Sequence, residues 1–255
     1  MAKYRHDTIV PFKDSDLGKK EQVANMFDRI ALRYDFLNRF LSGGIDIYWR
    51  KKAIRELSRQ QPATPQPWSI LDVATGTGDM AIMMTRYLPE ARITGIDISE
   101  GMLELGQQKI ARQQLTDRIR LQTGDSEAIH FPDNHFDAIT VAFGVRNFGD
   151  LEKGLQEMRR VLKPGGQLLV LEFSKPAQPG FRKLYDLYMR RICPWIVRML
   201  SGHREAYRYL NESVRAFPEG EGFVAILDKC GYAEIRLKTL SWGICTVYCG
   251  AKILL

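Results

Sequence analysis

Three carboxylates stand where chemistry is usually placed, each after an apolar run that reads as a buried strand. They are Asp72 in "SILDVATGTGDM", Asp97 in "ARITGIDIS" and Asp125 in "RLQTGDSEAIHFPD". Just beyond Asp72, Gly76, Thr77 and Gly78 turn the chain, and "DMAIMMTRYL" continues with helical spacing. Counted from Gly76, the spacing is G-x-G-x-x-A, which fits a nucleotide-binding turn. Glycine serves there because the backbone must approach a ligand closely and adopt positive φ. A tight strand-to-helix turn without a ligand has the same pattern. The glycines alone admit NAD, FAD and S-adenosylmethionine.

The acids narrow that choice. Asp97, about twenty residues beyond the glycines, can accept both hydroxyls of a ribose, which suits NAD and S-adenosylmethionine equally. Asp125 can accept from an adenine amino group, with Ser126 beside it, or can simply form a turn. Asp72 occupies a position that is more often apolar in a dinucleotide site. Nothing around the glycines neutralises a pyrophosphate, and Asp79 suits a sulfonium or an amino group better than a diphosphate. Three strand-end acids favour a cationic cofactor without a diphosphate, S-adenosylmethionine. Asp72, Gly76, Gly78 and Ile98 are the candidate contacts at the turn and the second strand end.

The elements that must position these residues alternate in type. "WSILDV", "ARITGID", "RIRLQTG", "FDAITVAF" and "QLLVLEF" read as strands separated by helices, which implies right-handed parallel βαβ units. "AEIRLKTLSWG" and "ICTVYCGAKIL" read as a terminal hairpin turning at Trp242-Gly243. A mostly parallel seven-stranded α/β sheet closed by an antiparallel hairpin is the Rossmann-like layout of class I S-adenosylmethionine-dependent methyltransferases. Residues 1–66 are expected to form an N-terminal helical cap of the same domain, with Val23, Met26, Phe27, Ile30 and Tyr34 on one stripe. "QQPATPQPW" reads as a linker. Residues 67–255 form the methyltransferase domain, with a helical insertion at about 178–216 and a helix over "GEGFVAILDKCG".

At 255 residues, 45% hydrophobic and 26% charged, the chain has globular composition. It carries no apolar run of bilayer length, and "MAKYRHDTIVPFKDSD" lacks the apolar core of a signal peptide, so a cytoplasmic protein is expected. Cys193, Cys230, Cys245 and Cys249 form no CxxC pair, and Cys245 and Cys249 share one strand face as small core residues. With four scattered histidines, no metal site is expected. The net charge of +7 points to an anionic partner surface or to solvated helix faces. The basic residues are interleaved with apolar helix positions rather than gathered in a tract, which argues against nucleic acid.

Three blocks resemble the ubiquinone/menaquinone biosynthesis C-methyltransferases: "YDFLNRFLSGGIDIYW", "FGVRN" and "RVLKPGGQLLVLEFS". The resemblance runs over nearly the whole chain. It implies Thr77, Asp97, Asp125 and Ser126 at the cofactor and Arg146 and Asn147 near a reacting quinol. The implied reaction is methylation of a ring carbon of a prenylated quinol, demethylmenaquinol giving menaquinol, with the ubiquinone-pathway benzoquinol as the alternative ring. Two positions depart from the family: Asp46 stands where His is usual, and Ala142, at a cofactor-binding position, stands where Ser is frequent.

Carbon methylation needs an activated ring and a route for its proton. Arg146 is a poor base, and its expected role is to stabilise a developing phenolate and orient a water. Asn147 can hold the same water, although "VRN" also reads as a capping Asn beside a surface Arg. Tyr34 and Asp35 can cover the cofactor from the N-terminal helix, Asp35 being a further candidate base. Tyr207 and Tyr209 face the ring or pack in the core. A prenylated substrate implies an anionic membrane surface as partner, so the enzyme is expected at the inner face of the cytoplasmic membrane. "FRKLYDLYMRRICPWIVRML" reads either as an interfacial helix or as a substrate lid. The oligomeric state is open, with a homodimer admissible. The competing readings are an NAD-dependent oxidoreductase, from the glycines and Asp97, and an RNA methyltransferase, from the charge.

Overall fold

Apolar runs such as "SILDV" and "QLLVLEF" have no polar face to give to water, and the protein buries both sides of each. The computed structural model describes residues 4–60, 67–176, 178–188, 191 and 204–253. In chain order these form α1 (Lys19–Ser42), α2 (Ile45–Ser58), β1 (Ser69–Val73), α3 (Asp79–Tyr87), β2 (Arg92–Asp97), α4 (Glu100–Arg112), β3 (Ile119–Thr123) and β4 (Phe136–Ala142). They continue with α5 (Leu151–Val161), β5 (Leu162–Phe173), α6 (Pro179–Leu187), α7 (Arg204–Ala216), α8 (Glu221–Lys229), β6 (Tyr232–Leu240) and β7 (Cys245–Lys252).

The seven strands form one sheet in the order β3-β2-β1-β4-β5-β7-β6. β1 to β5 run parallel, and β7 inserts antiparallel between β5 and β6. The expected layout is thus observed, with Trp242 and Gly243 in the 3-10 turn between β6 and β7. Strand order reverses between β1 and β4, the switch point at which open α/β sheets bind ligands beyond their strand ends.

The period-2 geometry of a strand sends alternate residues to opposite faces. Ile70, Leu169 and Leu171 pack with Trp49, Ala53, Ile54 and Leu57 of α2. Leu71, Leu168 and Val170 pack with Phe223 of α8 and Tyr248. The N-terminal helices are therefore part of the core. α1 lies against α4, where Ile30 and Ala31 meet Met102. Asp28 of α1 accepts from Ser99 Oγ and the Gly101 amide at the start of α4. Val23 and Met26 pack against Tyr209 of α7. Cys245 and Cys249 are buried, and burial pushes the Cys249 thiol up to about 11.

The "QQPATPQPW" linker falls mostly outside the described residues, as do Cys193 and most of "FRKLYDLYMRRICPWIVRML". Among the described residues no helix is long and apolar enough to cross a membrane, and no acid, His or Cys cluster of metal-binding composition occurs.

Candidate active site

The loops following β1, β2, β3 and β4 meet beyond the strand ends around an open cavity of about 650 Å3. Its wall includes Gly76, Asp97, Ile98, Asp125, Ser126, Ala142 and Asn147, with Lys20, Phe27 and Tyr34 supplied by α1. Gly76 and Gly78 both take the left-handed backbone that glycine permits, at φ 56° and 76°. No neighbouring atom lies within 4 Å of where a Cβ on Gly76 would sit, whereas one on Gly144 would meet the Ala74 side chain at 2.6 Å. The turn is open to a ligand at Gly76, and the facing loop is packed tight behind it.

Asp97 is held from behind. One oxygen accepts from the Gly76 amide at 2.8 Å and the other from the Ser99 amide at 2.9 Å. The Ile98 amide also donates to it, and a carboxylate with about four acceptor sites still has capacity left for a ribose hydroxyl. Burial raises its pKa, the backbone donors only partly opposing it, and a nearby cation would favour its ionised form. Asp125 accepts from the Glu127 amide at 2.9 Å and from Lys20 Nζ at 2.5 Å. A ribose-accepting carboxylate, a glycine opening and a second acid at the far end fit S-adenosylmethionine.

A second cavity of about 870 Å3 adjoins the first, and Phe27, Tyr34 and Phe143 line both. Its walls come from α1 (Met26, Ile30, Asn38, Ser42), from α2 (Asp46, Trp49, Arg50), from α7 (Tyr207, Tyr209) and from Arg146 and Phe173. Phe143 sits at φ 62°, a conformation that costs a non-glycine residue roughly 1–3 kcal/mol. It places the ring between the cavities, 4.5 Å from the centroid of Phe173.

Arg146 lies in the 3-10 turn Val145–Asn147 and is buried, which overturns the surface-Arg alternative. Its Nη1 donates to Glu172 Oε1 at 2.8 Å and to the Phe143 carbonyl. Burial raises the Glu172 pKa, and the Arg146 charge opposes that. Asn147 Oδ1 accepts from the Tyr209 hydroxyl at 3.1 Å, so Asn147 bridges the two cavities rather than capping a helix. Arg50 lies over the Phe143 ring at 5.2 Å, with its Nε 3.9 Å from Asp46 Oδ2. The Nε atoms of Arg50 and Arg146 are buried without a protein hydrogen-bond partner. Buried donors of that kind are rare in folded proteins, and these two can serve a water or a polar ligand atom.

Several expected residues fall elsewhere. Asp72 is hidden beneath the cofactor cavity, where it accepts from Thr75 and Thr140 hydroxyls at 2.6 and 2.5 Å. The Thr77 hydroxyl donates to Asp35 Oδ1 at 2.6 Å instead of facing the cavity, and Gly78 begins α3. Asp35 does not line the second cavity, and Lys109 Nζ holds its other oxygen at 2.8 Å. Lys109 also reaches Asp79, and the group fastens α1 across the glycine turn. Sequence reasoning missed Lys20, Arg50 and Glu172. A lone acid inside "LLVLEF" is the signal that would have found Glu172, since a carboxylate in a buried strand needs a partner.

A sheet of this order, with a cavity at its switch point, is the Rossmann-like fold of class I S-adenosylmethionine-dependent methyltransferases. A putative S-adenosylmethionine-dependent methyltransferase from Methanococcus maripaludis has the same fold, at TM-score 0.62 and 19% identity over 96% of this chain and 98% of that one. The model of the ubiE/COQ5 methyltransferase family matches residues 15–252. A demethylmenaquinone methyltransferase of Bacteroides fragilis is 43% identical over 98% of this chain and 99% of its own length. The ubiquinone/menaquinone biosynthesis C-methyltransferase UbiE of Geobacter sulfurreducens is 43% identical over 92% of this chain and 90% of its own. The chain belongs to the ubiE/COQ5 methyltransferase family, and its cofactor is S-adenosylmethionine.

Proposed function

We propose that the chain methylates a ring carbon of a prenylated quinol, converting demethylmenaquinol to menaquinol. The observation that carries this reading is the ring-sized aromatic cavity sharing Tyr34, Phe27 and Phe143 with the cofactor cavity. The name of the Bacteroides fragilis relative supports the naphthoquinol over other rings.

When bound, S-adenosylmethionine supplies an electrophilic methyl group. The chain's own residues do the rest. Asp97, Gly76, Ile98, Asp125, Ser126 and Ala142 hold the nucleoside. Phe143, Phe173 and Trp49 form an apolar slot for the ring, and fixing two reacting atoms in line contributes up to about 7–11 kcal/mol. Arg146, kept in place by Glu172, and Arg50 offer cationic donors to a quinol oxygen as it gains negative charge. The ring carbon would take up that methyl group, the cofactor leaving as the thioether, and would then have to lose its proton. Asp46, rather than Asp35, is the carboxylate on the ring cavity and accepts that proton directly or through a water. Tyr34, Tyr209 and Asn147 fix the ring hydroxyls. The substrate's tail keeps it in a bilayer, so the enzyme works as a peripheral protein at an anionic membrane surface.

The test is a methylation assay with short-tailed demethylmenaquinol and with the corresponding benzoquinol, read by mass spectrometry. Methylated naphthoquinol is the expected product. Product from neither ring, by protein that binds S-adenosylmethionine, rules out the quinol reading, and product from the benzoquinol alone reassigns the ring.

A further inference from the structure

α1 presents two contrasting faces. Ile30, Tyr34, Asn38 and Ser42, spaced by four, line the ring cavity. About 200° around the helix from them, Leu32, Phe36 and Phe40 repeat the same spacing toward solvent and are 87%, 57% and 50% exposed. The Phe36 and Phe40 rings stack on each other at 5.7 Å. Beyond the Gly43-Gly44 turn the chain adds exposed Ile45 and Tyr48. Isolated apolar residues on a surface are ordinary, but a contiguous stripe marks a surface that something covers.

Charge identifies the occupant. Between residues 32 and 52 the chain carries five cations, Arg33, Arg39, Arg50, Lys51 and Lys52, against two acids, Asp35 and Asp46. Both acids are engaged, Asp35 by Lys109 and Thr77 and Asp46 by Ser42. Of these cations Arg50 is buried against the ring cavity and Arg39 is exposed but paired with Asp79 at 3.1 Å, whereas Arg33 and Lys51 are exposed and Lys52 lies over the Tyr48 ring at 5.4 Å. An apolar aromatic stripe flanked by long cationic side chains matches a bilayer interface, with rings among the upper acyl chains and cations at anionic headgroups.

We infer that the outer face of α1, Leu32, Phe36 and Phe40 flanked by Arg33 and Lys51, is the surface that docks on an anionic lipid bilayer. The inference rests on the prenylated-quinol reading and adds to it the face that meets the membrane. The helix that walls the ring cavity on one side thus lies on the lipid with the other.

The experiment compares wild type with Leu32→Ser/Phe36→Ser/Phe40→Ser, using vesicles of phosphatidylcholine alone and of phosphatidylcholine with phosphatidylglycerol. Wild type is expected to sediment preferentially with the anionic vesicles, and the triple variant to lose at least about tenfold in partitioning. Methylation of a short-tailed quinol in solution is expected to be unchanged, which also shows that the variant is folded. Lys51→Glu/Lys52→Glu, which leaves the stripe intact, should reduce the preference for anionic over neutral vesicles. Wild-type binding retained by the triple variant overturns the inference. So does light scattering in which wild type is a dimer, the triple variant a monomer and neither binds lipid, because the occupant is then a second copy. Failure of wild type to methylate any short-tailed quinol counts against the proposed function, and the vesicle result is read independently of it.

Discussion

The two adjoining cavities are built from different materials. The cofactor cavity is framed by strand ends, where parallel hydrogen bonding fixes the backbone and the acids follow at set positions. The ring cavity is framed by α1, α2 and α7, and its charged groups among the described residues are two arginines and an acid carried on helices and a short turn. Among the described residues, only Phe27, Tyr34 and Phe143 belong to both. A common cofactor can be held by a geometry the fold dictates, whereas a particular ring requires walls brought from elsewhere in the chain. If the division is real, single substitutions should affect one function and spare the other.

The largest effect is expected at Arg146. If Arg146 donates to the ring oxygen as charge develops there, as proposed, Arg146→Ala should slow single-turnover methyl transfer about 10²–10³-fold while cofactor affinity barely changes. It also strands Glu172 in the core, and removing one partner of a buried pair costs about 3–5 kcal/mol of stability. Protonation of Glu172, whose pKa burial already raises, should soften that loss. Arg146→Lys should rescue poorly, because an ammonium lacks the planar fork. A rate within about threefold of wild type for the alanine variant would remove Arg146 from the site.

Asp97→Ala is the mirror experiment. Charge-assisted hydrogen bonding to the ribose would be lost, so affinity for S-adenosylhomocysteine by calorimetry should weaken by roughly 2–4 kcal/mol. Ring chemistry at saturating cofactor should be much less affected. The residue also holds the Gly76 and Ser99 amides, so Asp97→Asn, of similar shape, separates loss of charge from loss of the turn. Unchanged affinity in folded protein would rule out the ribose role.

What could be read beforehand follows the same division. An acid after an apolar run is visible without a structure, because strand, turn and helix are consecutive in the chain. That made Gly76, Asp97 and Asp125 legible as candidates, along with the parallel strands and the terminal hairpin, whereas the order of the strands in the sheet came only with the structure. Asp72 and Thr77 misled because proximity to the turn does not decide direction. Asp72 points beneath the loop and Thr77 toward Asp35. The ring cavity was less legible, since its walls lie in segments distant in sequence. Arg50 and Asp46 sit one helical turn apart in α2, a spacing that by itself suggests only a surface pair. Arg146 was picked out by family resemblance, but its burial and its Glu172 partner needed the fold.

Asp72 offers a pH test of the cofactor half. Burial, only partly offset by the Thr140 and Thr75 hydroxyls, pushes its pKa from 3.8 up to about 6. The folded chain thus holds a proton that the unfolded chain has released across this window. Its contribution is fully present below the lower value and is lost as pH rises through the upper one. At about 1.4 kcal/mol for each pH unit, the full swing is on the order of 2–3 kcal/mol. Asp72→Asn should abolish it. Urea unfolding of both proteins at about pH 4 and pH 7 measures the difference, and parallel pH dependence would show that Asp72 is ionised throughout.

The smallest effect is expected where α1 reaches the adenine end of the cofactor cavity. Lys20 Nζ lies 2.5 Å from Asp125 and 3.2 Å from Glu127, and the pairing raises the lysine's pKa against the cost of its burial. Lys20 and Asp125 are 38% and 30% exposed, however, and pairs so accessible to water are worth only about 0.2–1 kcal/mol. Asp125 is also fixed by its strand-end turn, through the Glu127 amide. If the strand ends alone define cofactor binding, Lys20→Ala should change affinity for S-adenosylhomocysteine by less than about fivefold. The remaining difference should shrink further as salt is raised. Calorimetry at low and high ionic strength reads both quantities. A salt-insensitive loss of tenfold or more would mean that α1 clamps the adenine, and the helical cap would then bind cofactor as well as ring.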